Sequence, residues 1–304
     1  MNYQEIINRI FEEVKQMPDK GKVASYIPAL AEVPDNKLGI SVCMNSGEEF
    51  SVGDADEKFS IQSISKVFTL TLAMKMHADE IWKRVGREPS GNSFDSLVQL
   101  EYESGIPRNP FINAGALVIT DSIFEGVGKT KKNLLQFIRS LSGNSNIYFD
   151  EEVADSEKQT GHRNRAVASF LKSYGNFVNS PDDVLDVYFH QCSIEMSCND
   201  LSRAFLFLAN SGIQPQSNTE IVNKRQAKRI NALMLTCGTY NAVGDFAYYV
   251  GLPAKSGVGG GIVAVIPKLL SITAWSPGLN EQGNSLLASK VLELFTTYTG
   301  NSVF

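Results

Sequence analysis

The chain has 304 residues, enough for one large domain or two lobes around a sizeable core. Apolar residues make up 43% and charged residues 20%, ordinary values for a globular protein. The 28 basic and 33 acidic residues leave a net charge of −5 without a basic cluster, which argues against nucleic acid as the main partner.

Ile6, Ile7, Ile10, Phe11 and Val14 recur at helical spacing, so a first amphipathic helix is predicted, ending before Pro18. Residues 2–17 mix acids and bases with these apolar positions and do not resemble the apolar region of a signal peptide. No apolar run is long enough to cross a bilayer, so no membrane partner and a cytoplasmic location are expected. "LGISVCM" (38–44) and "EFSVGD" (49–54) read as strands, with "NSGE" (45–48) as the turn of a hairpin. From Ser63 to about residue 235 helical patterns dominate. They include "AGALVITDSIFEGV" after Asn113, "RNRAVASFLKSYG" and "NDLSRAFLFLANSG", several ending in the glycine that suits the position after a helix.

Strand signals return in "KSGVGGGIVAVIP" (255–267) and "LLSITAW" (269–275), joined at Pro267-Lys268. The last segment, "NSLLASKVLELFTTY" (284–298), is an amphipathic helix capped by Asn284 or Ser285. Neither pair of strands makes a stable sheet alone, so the early and late strands are expected to share one antiparallel sheet covered by the terminal helices. This gives a single catalytic domain of two lobes. Residues 1–62 with 236–304 form the α/β lobe, and 63–235 form an all-helical lobe. Cys43, Cys192, Cys198 and Cys237 have no ligand or disulfide-framework spacing, and free thiols in a reducing compartment are expected. His77, His162 and His190 are scattered; neither a metal nor a cofactor is expected.

The segment "FSIQSISKVFTLTLAMKM" (59–76) places Ser63 and Lys66 three residues apart where a hydrophobic helix begins. On a helix, positions i and i+3 share a side. A desolvated lysine with a lowered pKa can accept the proton of a serine hydroxyl, which is otherwise a poor nucleophile. The pattern also occurs at Ser169 and Lys172, where it reads as a solvated helix end before Gly175. Alone, Ser-x-x-Lys therefore decides nothing. A second signal is Lys255-Ser256-Gly257 at the start of a glycine-rich strand, where a carbonyl group can approach the backbone closely. One backbone N–H of that strand, facing the N–H of Ser63, would make a two-donor oxyanion hole; the bland alternative is a glycine-rich bend. Together the two motifs and the lobe arrangement match a β-lactamase/transpeptidase-like α+β fold. Four candidates fit its middle motif, Ser/Tyr-x-Asn: Ser90-Gly-Asn92, Ser142-Gly-Asn144, Tyr174-Gly-Asn176 and Ser197-Cys-Asn199. They leave it undecided.

The motifs "GKVASYIPALA" (21–31), "FSIQSISKVF" (59–68), "GIPRNPFINAGAL" (105–117), "SEKQTGHRNRA" (156–166), "YFHQCSIEMSC" (188–198), "CGTYNAVGDFAYYVGLPAKSGVGGGI" (237–262) and "WSPGLNEQGNSL" (275–286) follow in order. On them the chain resembles the bacterial serine-dependent glutaminases, from about residue 20 to 290. The resemblance implies hydrolysis of L-glutamine to L-glutamate and ammonia without a cofactor, by a homodimer or homotetramer. It implies Ser63 as nucleophile, Lys66 as its activating partner and the backbone amides of Ser63 and Val258 as oxyanion donors. Tyr188 and Tyr240 would lie beside the nucleophile, Tyr240 as a proton relay. Tyr26, Asn113, Glu157 and Asn164 would hold the substrate head.

The residue chemistry fits those roles. An ionised glutamate accepts from an ammonium, and asparagine and tyrosine donate to a carboxylate without adding charge. Taken one at a time, plainer roles stand beside these. Asn113 is a helix cap, Glu157 a surface acid paired with Lys158 or Arg163, Asn164 solvent-facing, and the two tyrosines core residues. His162 stands where many relatives carry an acid. Two rival functions remain at this point: a β-lactamase or penicillin-binding-type hydrolase, and an amino-acid-binding module without chemistry.

Overall fold

The computed structural model describes residues 1–91 and 97–304. Alternation along the strands builds a five-stranded antiparallel sheet. Its strands are β1 (Gly39–Met44), β2 (Glu49–Gly53), β3 (Ala254–Ser256), β4 (Gly261–Ile266) and β5 (Leu270–Trp275), in the order β2-β1-β5-β4-β3. The early hairpin and the late strands meet at β1 and β5, with Ser41 opposite Thr273. On one face Ile40, Val42, Ile262, Ala264, Ile272 and Ala274 pack against Ile7, Ile10 and Val14 of α1 (Tyr3–Lys15) and Val291, Leu292 and Phe295 of the C-terminal helix Leu286–Thr299. Ser285 caps that last helix by accepting from Ala288 N.

The other face is covered by the helix Cys198–Ala209, whose Ser202 Oγ donates to Ser41 O at 3.0 Å and shares a hydrogen bond with the Thr273 hydroxyl at 2.9 Å. Ser197 and Asp200 close a capping box at its start. This helix lies within the segment read as the helical lobe, yet it packs on the sheet. The remaining helices of the middle of the chain pack on one another, and several of them on α2 (Ser65–His77), which is buried on nearly all sides, as expected of a helix apolar all round. They include α3 (Asn113–Ser122), α4 (Val127–Ser142), α5 (Glu151–Thr160), α6 (His162–Ser173) and α7 (Pro181–Cys192).

Three expectations change. The stretch 255–267 is two strands, β3 and β4, joined by a reverse turn at 257–260; Lys255 and Ser256 end the first of them. Gly260 at φ +92° permits that turn. Ser63 sits in a single 3-10 turn, Gln62–Ile64, just ahead of α2, which begins at Ser65. The middle of the chain also carries two-residue strand pairs, including Phe59–Ser60 with Glu195–Met196. This pair and the bond from Ile61 N to Ile194 O fix the approach to Ser63.

Candidate active site

The backbone around Ser63 is held from two sides. Ser60 Oγ donates to Cys192 O at 2.9 Å, and Gln62, forced to φ +49°, places its Nε2 3.0 Å from Ser60 Oγ as a donor. A non-glycine residue persists there only where its surroundings over-determine it. On the other side the turn 257–260 lies against this segment so closely that a Cβ at Gly257 would come 2.4 Å from Ile61 O, and one at Gly259 2.1 Å from Ser60 O. The glycines let two backbones touch. Trp275 Nε1 donates to Gly259 O at 3.0 Å while its ring stacks on Phe59 with centroids 4.8 Å apart, and this holds the turn in place.

These elements enclose a cavity of about 420 Å³. Tyr26, Ser63, Asn113, Glu157, Asn164, Tyr188, Tyr240 and Val258 all line it. Lys66, 1% exposed, donates to Phe111 O at 3.1 Å and to Asn113 Oδ1 at 2.7 Å. Asn113 Oδ1 also accepts from the Tyr188 hydroxyl at 3.3 Å, and Asn113 Nδ2 donates to Asn164 Oδ1 at 3.1 Å. Asn113 opens α3, but its side chain makes no cap and is committed to the site instead. The Tyr240 hydroxyl neighbours Ser63 on the cavity wall and donates to Ser256 O at 3.4 Å. Among the described residues the backbone N–H groups of Ser63 and Val258 make no internal hydrogen bond.

Burial tunes the ionisable groups. It lowers Lys66 to about 8, partly offset by the nearby Cys192 and Glu157. It raises Tyr240 to about 12 and Tyr188 well above the usual phenol value. Glu157 rises to about 7, again through burial, against the opposing pull of a Gln62 hydrogen bond and of Lys66. Glu157 is therefore not a surface acid: it is 8% exposed, and its Oε1 has no partner among the described residues. Asp150 caps its helix, α5, through Val153 N.

Sequence reading missed Gln62, which lines the cavity near Glu157 from the strained turn before the nucleophile; the signal was a lone amide in the apolar run "FSIQSIS". It also missed Cys192, at the end of α7 and on the cavity wall. His162 is exposed at the start of α6. Ser169 and Lys172 are exposed, and Lys172 binds Val178 O and Asn179 O at a helix end. Of the four Ser/Tyr-x-Asn candidates, Asn144 binds Asp200, Asn176 binds Arg84 and Gly105, and Asn199 binds Asp56, all away from the cavity. Asn92 lies outside the described residues.

The family model described as Glutaminase matches residues 21–304. The chain belongs to the glutaminase family. A glutaminase of Aliarcobacter butzleri is 55% identical, with all of both chains covered. One of Aliivibrio salmonicida is 53% identical over 99% of each. Among solved structures, the probable glutaminase YbaS superposes with a TM-score of 0.95 at 35% identity, covering 99% of this chain and 97% of that one. A probable glutaminase from Bacillus subtilis, complexed with 6-diazo-5-oxo-L-norleucine, gives 0.91 at 35% identity over 100% and 98%. The fold is accordingly β-lactamase-like, and the enzyme's activity is that of a glutaminase: L-glutamine to L-glutamate and ammonia. The penicillin-type alternative is set aside by this membership. Among the described residues no helix is long and apolar enough to cross a membrane.

Proposed function

We propose that glutamine is hydrolysed through a glutamyl ester on Ser63. The observation that carries this reading is a single cavity that combines Ser63, with Tyr240 beside it, and a buried carboxylate oxygen of Glu157 that has no hydrogen-bond partner among the described residues. That oxygen suits the α-ammonium of a free amino acid. Tyr26, Asn113, Asn164 and Tyr188 supply neutral donors for the α-carboxylate and the remaining polar groups of the substrate.

Lys66, as the amine, takes the Ser63 proton directly or through Tyr240, and Ser63 Oγ bonds to the side-chain amide carbon. Its two N–H donors already have acceptors in Phe111 O and Asn113 Oδ1, so its lone pair is the group left to act. The amides of Ser63 and Val258 stabilise the oxyanion; one such donor is typically worth roughly 10²–10³ in rate. Tyr240, raised to about 12, remains a phenol at neutral pH and relays the proton to the leaving nitrogen. The C–N bond breaks, ammonia departs, and water hydrolyses the ester. The work falls to one catalytic domain whose cavity draws on residues 1–62 and 236–304 and on 63–235. We place it in the cytoplasm as a dimer or tetramer, in keeping with the family.

The test combines a coupled assay of ammonia and glutamate with covalent labelling. L-Glutamine, asparagine and D-glutamine are compared, and 6-diazo-5-oxo-L-norleucine, the ligand of the Bacillus subtilis relative, is used as label. Equal release of both products from L-glutamine, and a mass increase on the peptide containing Ser63, are expected. A label on any other residue overturns the nucleophile, and binding without product would leave only a binding module.

A further inference from the structure

Lys255 plays no part in the steps above, yet it is as deeply buried as Lys66, at 0% exposure. From the end of β3 its Nζ donates to Gly238 O at 2.9 Å and to Ser256 O at 2.7 Å. It lies 4.6 Å from the centre of the Tyr240 ring and 5.8 Å from that of Phe111, the residue whose carbonyl holds Lys66.

Tyr240 needs such support. Its φ is +54°, in the left-handed region that a bulky residue occupies only when the surroundings leave no alternative. The two carbonyls preceding it are both tied. Gly238 O accepts from Lys255 Nζ and from Ser256 N, and Thr239 O accepts from Asn284 Nδ2 at 3.1 Å. Gly238 itself packs so tightly that a Cβ would come 1.8 Å from Ala254 O. Beyond the ring, Ser256 O accepts from both Lys255 Nζ and the Tyr240 hydroxyl. Lys255 thus bonds to the turn that sets the Tyr240 backbone, contacts the face of its ring, and shares an acceptor with its phenol.

We propose that Lys255 is a positioning residue for the reaction, holding Tyr240 so that its phenol stays on Ser63. The inference rests on the reading of Tyr240 as proton relay. The N–H donors and the reach of the side chain carry the role, not the charge: burial and the nearby Lys66 hold Lys255 well below the usual lysine value.

The test is a double-mutant cycle in the full chain: Lys255→Met, which keeps much of the volume and removes the donors, Tyr240→Phe, and the pair. Lys255→Met is expected to lower kcat about 10- to 100-fold, as displacement of a reacting group does, with KM changed less than about threefold. In the Tyr240→Phe background it should cost less than about threefold more, because the group it positions is gone. Lys255→Gln, which keeps an N–H donor, should recover part of kcat, and it carries the same cycle if Lys255→Met does not fold. Losses that multiply in the double variant, or a Lys255 variant within about twofold of wild type, overturn the positioning role alone. Full activity in Tyr240→Phe overturns the relay itself, and this inference with it.

Discussion

Lys66 Nζ lies 2.7 Å from Asn113 Oδ1, so the proposed base is bound to a residue that also lines the substrate cavity. A neutral amide satisfies one N–H of the amine without favouring its protonated form as a carboxylate would. Burial can then lower Lys66 to about 8, which leaves about a tenth of it neutral at pH 7 and half at pH 8. kcat/KM should therefore rise with pH, reach half its limit near pH 8 and level off about one pH unit higher. Asn113→Asp puts a negative charge at the same place and should move that limb upward by at least about one pH unit, with about tenfold less activity at pH 7. A pH–rate profile of both proteins decides it; an unmoved limb would mean that Lys66 is not the titrating group.

Ser63→Ala tests the covalent step. Turnover should fall by at least about 10⁴-fold, as in other enzymes stripped of a nucleophile. L-Glutamate should still bind, because Glu157, Asn113 and Asn164 remain in place. Calorimetric titration with glutamate, alongside the ammonia assay, separates loss of chemistry from loss of the pocket. Retained turnover would remove Ser63 from the mechanism.

Glu157 should govern both recognition and pH-dependent stability. Glu157→Gln removes the counter-charge for the substrate ammonium and should raise KM by about 10²-fold with a smaller change in kcat. Burial raises this carboxyl to about 7 in the empty cavity, so the folded chain holds the proton more tightly than the unfolded one. The stability it contributes is therefore complete below the ordinary glutamate range and is lost as pH rises through about 7, by roughly 3–4 kcal/mol at most. Lys66, lowered to about 8, contributes stability that is lost as pH falls through about 8 from the alkaline side, so it is flat between pH 5 and 7. Melting temperatures across that window should decline with rising pH in the wild type and less so in Glu157→Gln. Saturating glutamate, which supplies an ammonium, should flatten the wild-type slope.

Much of this was legible because period and motif act locally. The alternation of "LGISVCM" and "LLSITAW" put Ile40, Val42, Ile272 and Ala274 on the face that the terminal helices cover, and both strands are where alternation predicts them. The nine proposed site residues meet at one cavity: eight are on its wall, and the ninth, Lys66, is hydrogen-bonded to one of them, Asn113. What was illegible depends on distant backbone. Nothing in "KSGVGGGIV" says that Gly257 and Gly259 are small because Ile61 and Ser60 press on them, so the run read as one strand instead of a turn. The 3-10 turn at Gln62–Ile64 follows directly on the residues in that contact. Gln62 itself escaped notice because its neighbour in the cavity, Glu157, is almost a hundred residues away in the chain.

The contact between the turn 257–260 and the nucleophile segment gives the sharpest structural prediction. A methyl group at residue 259 would sit 2.1 Å from Ser60 O, a rigid backbone atom, so the turn must move away. The bond from Trp275 Nε1 to Gly259 O would be strained, and Val258 N would shift relative to Ser63. Gly259→Ala should therefore cost about 1–3 kcal/mol of stability, as overpacking does. It should also lower kcat by about 10²-fold, the value of one misplaced oxyanion donor, with a smaller change in KM. Gly128→Ala is the control. It lies in α4, its Cβ would meet nothing within 4 Å, and alanine favours the helix by about 0.5–1 kcal/mol. Chemical denaturation and steady-state kinetics of the two variants should diverge in both quantities. A Gly259→Ala enzyme with normal kcat would show that the turn does not set the geometry of the oxyanion site.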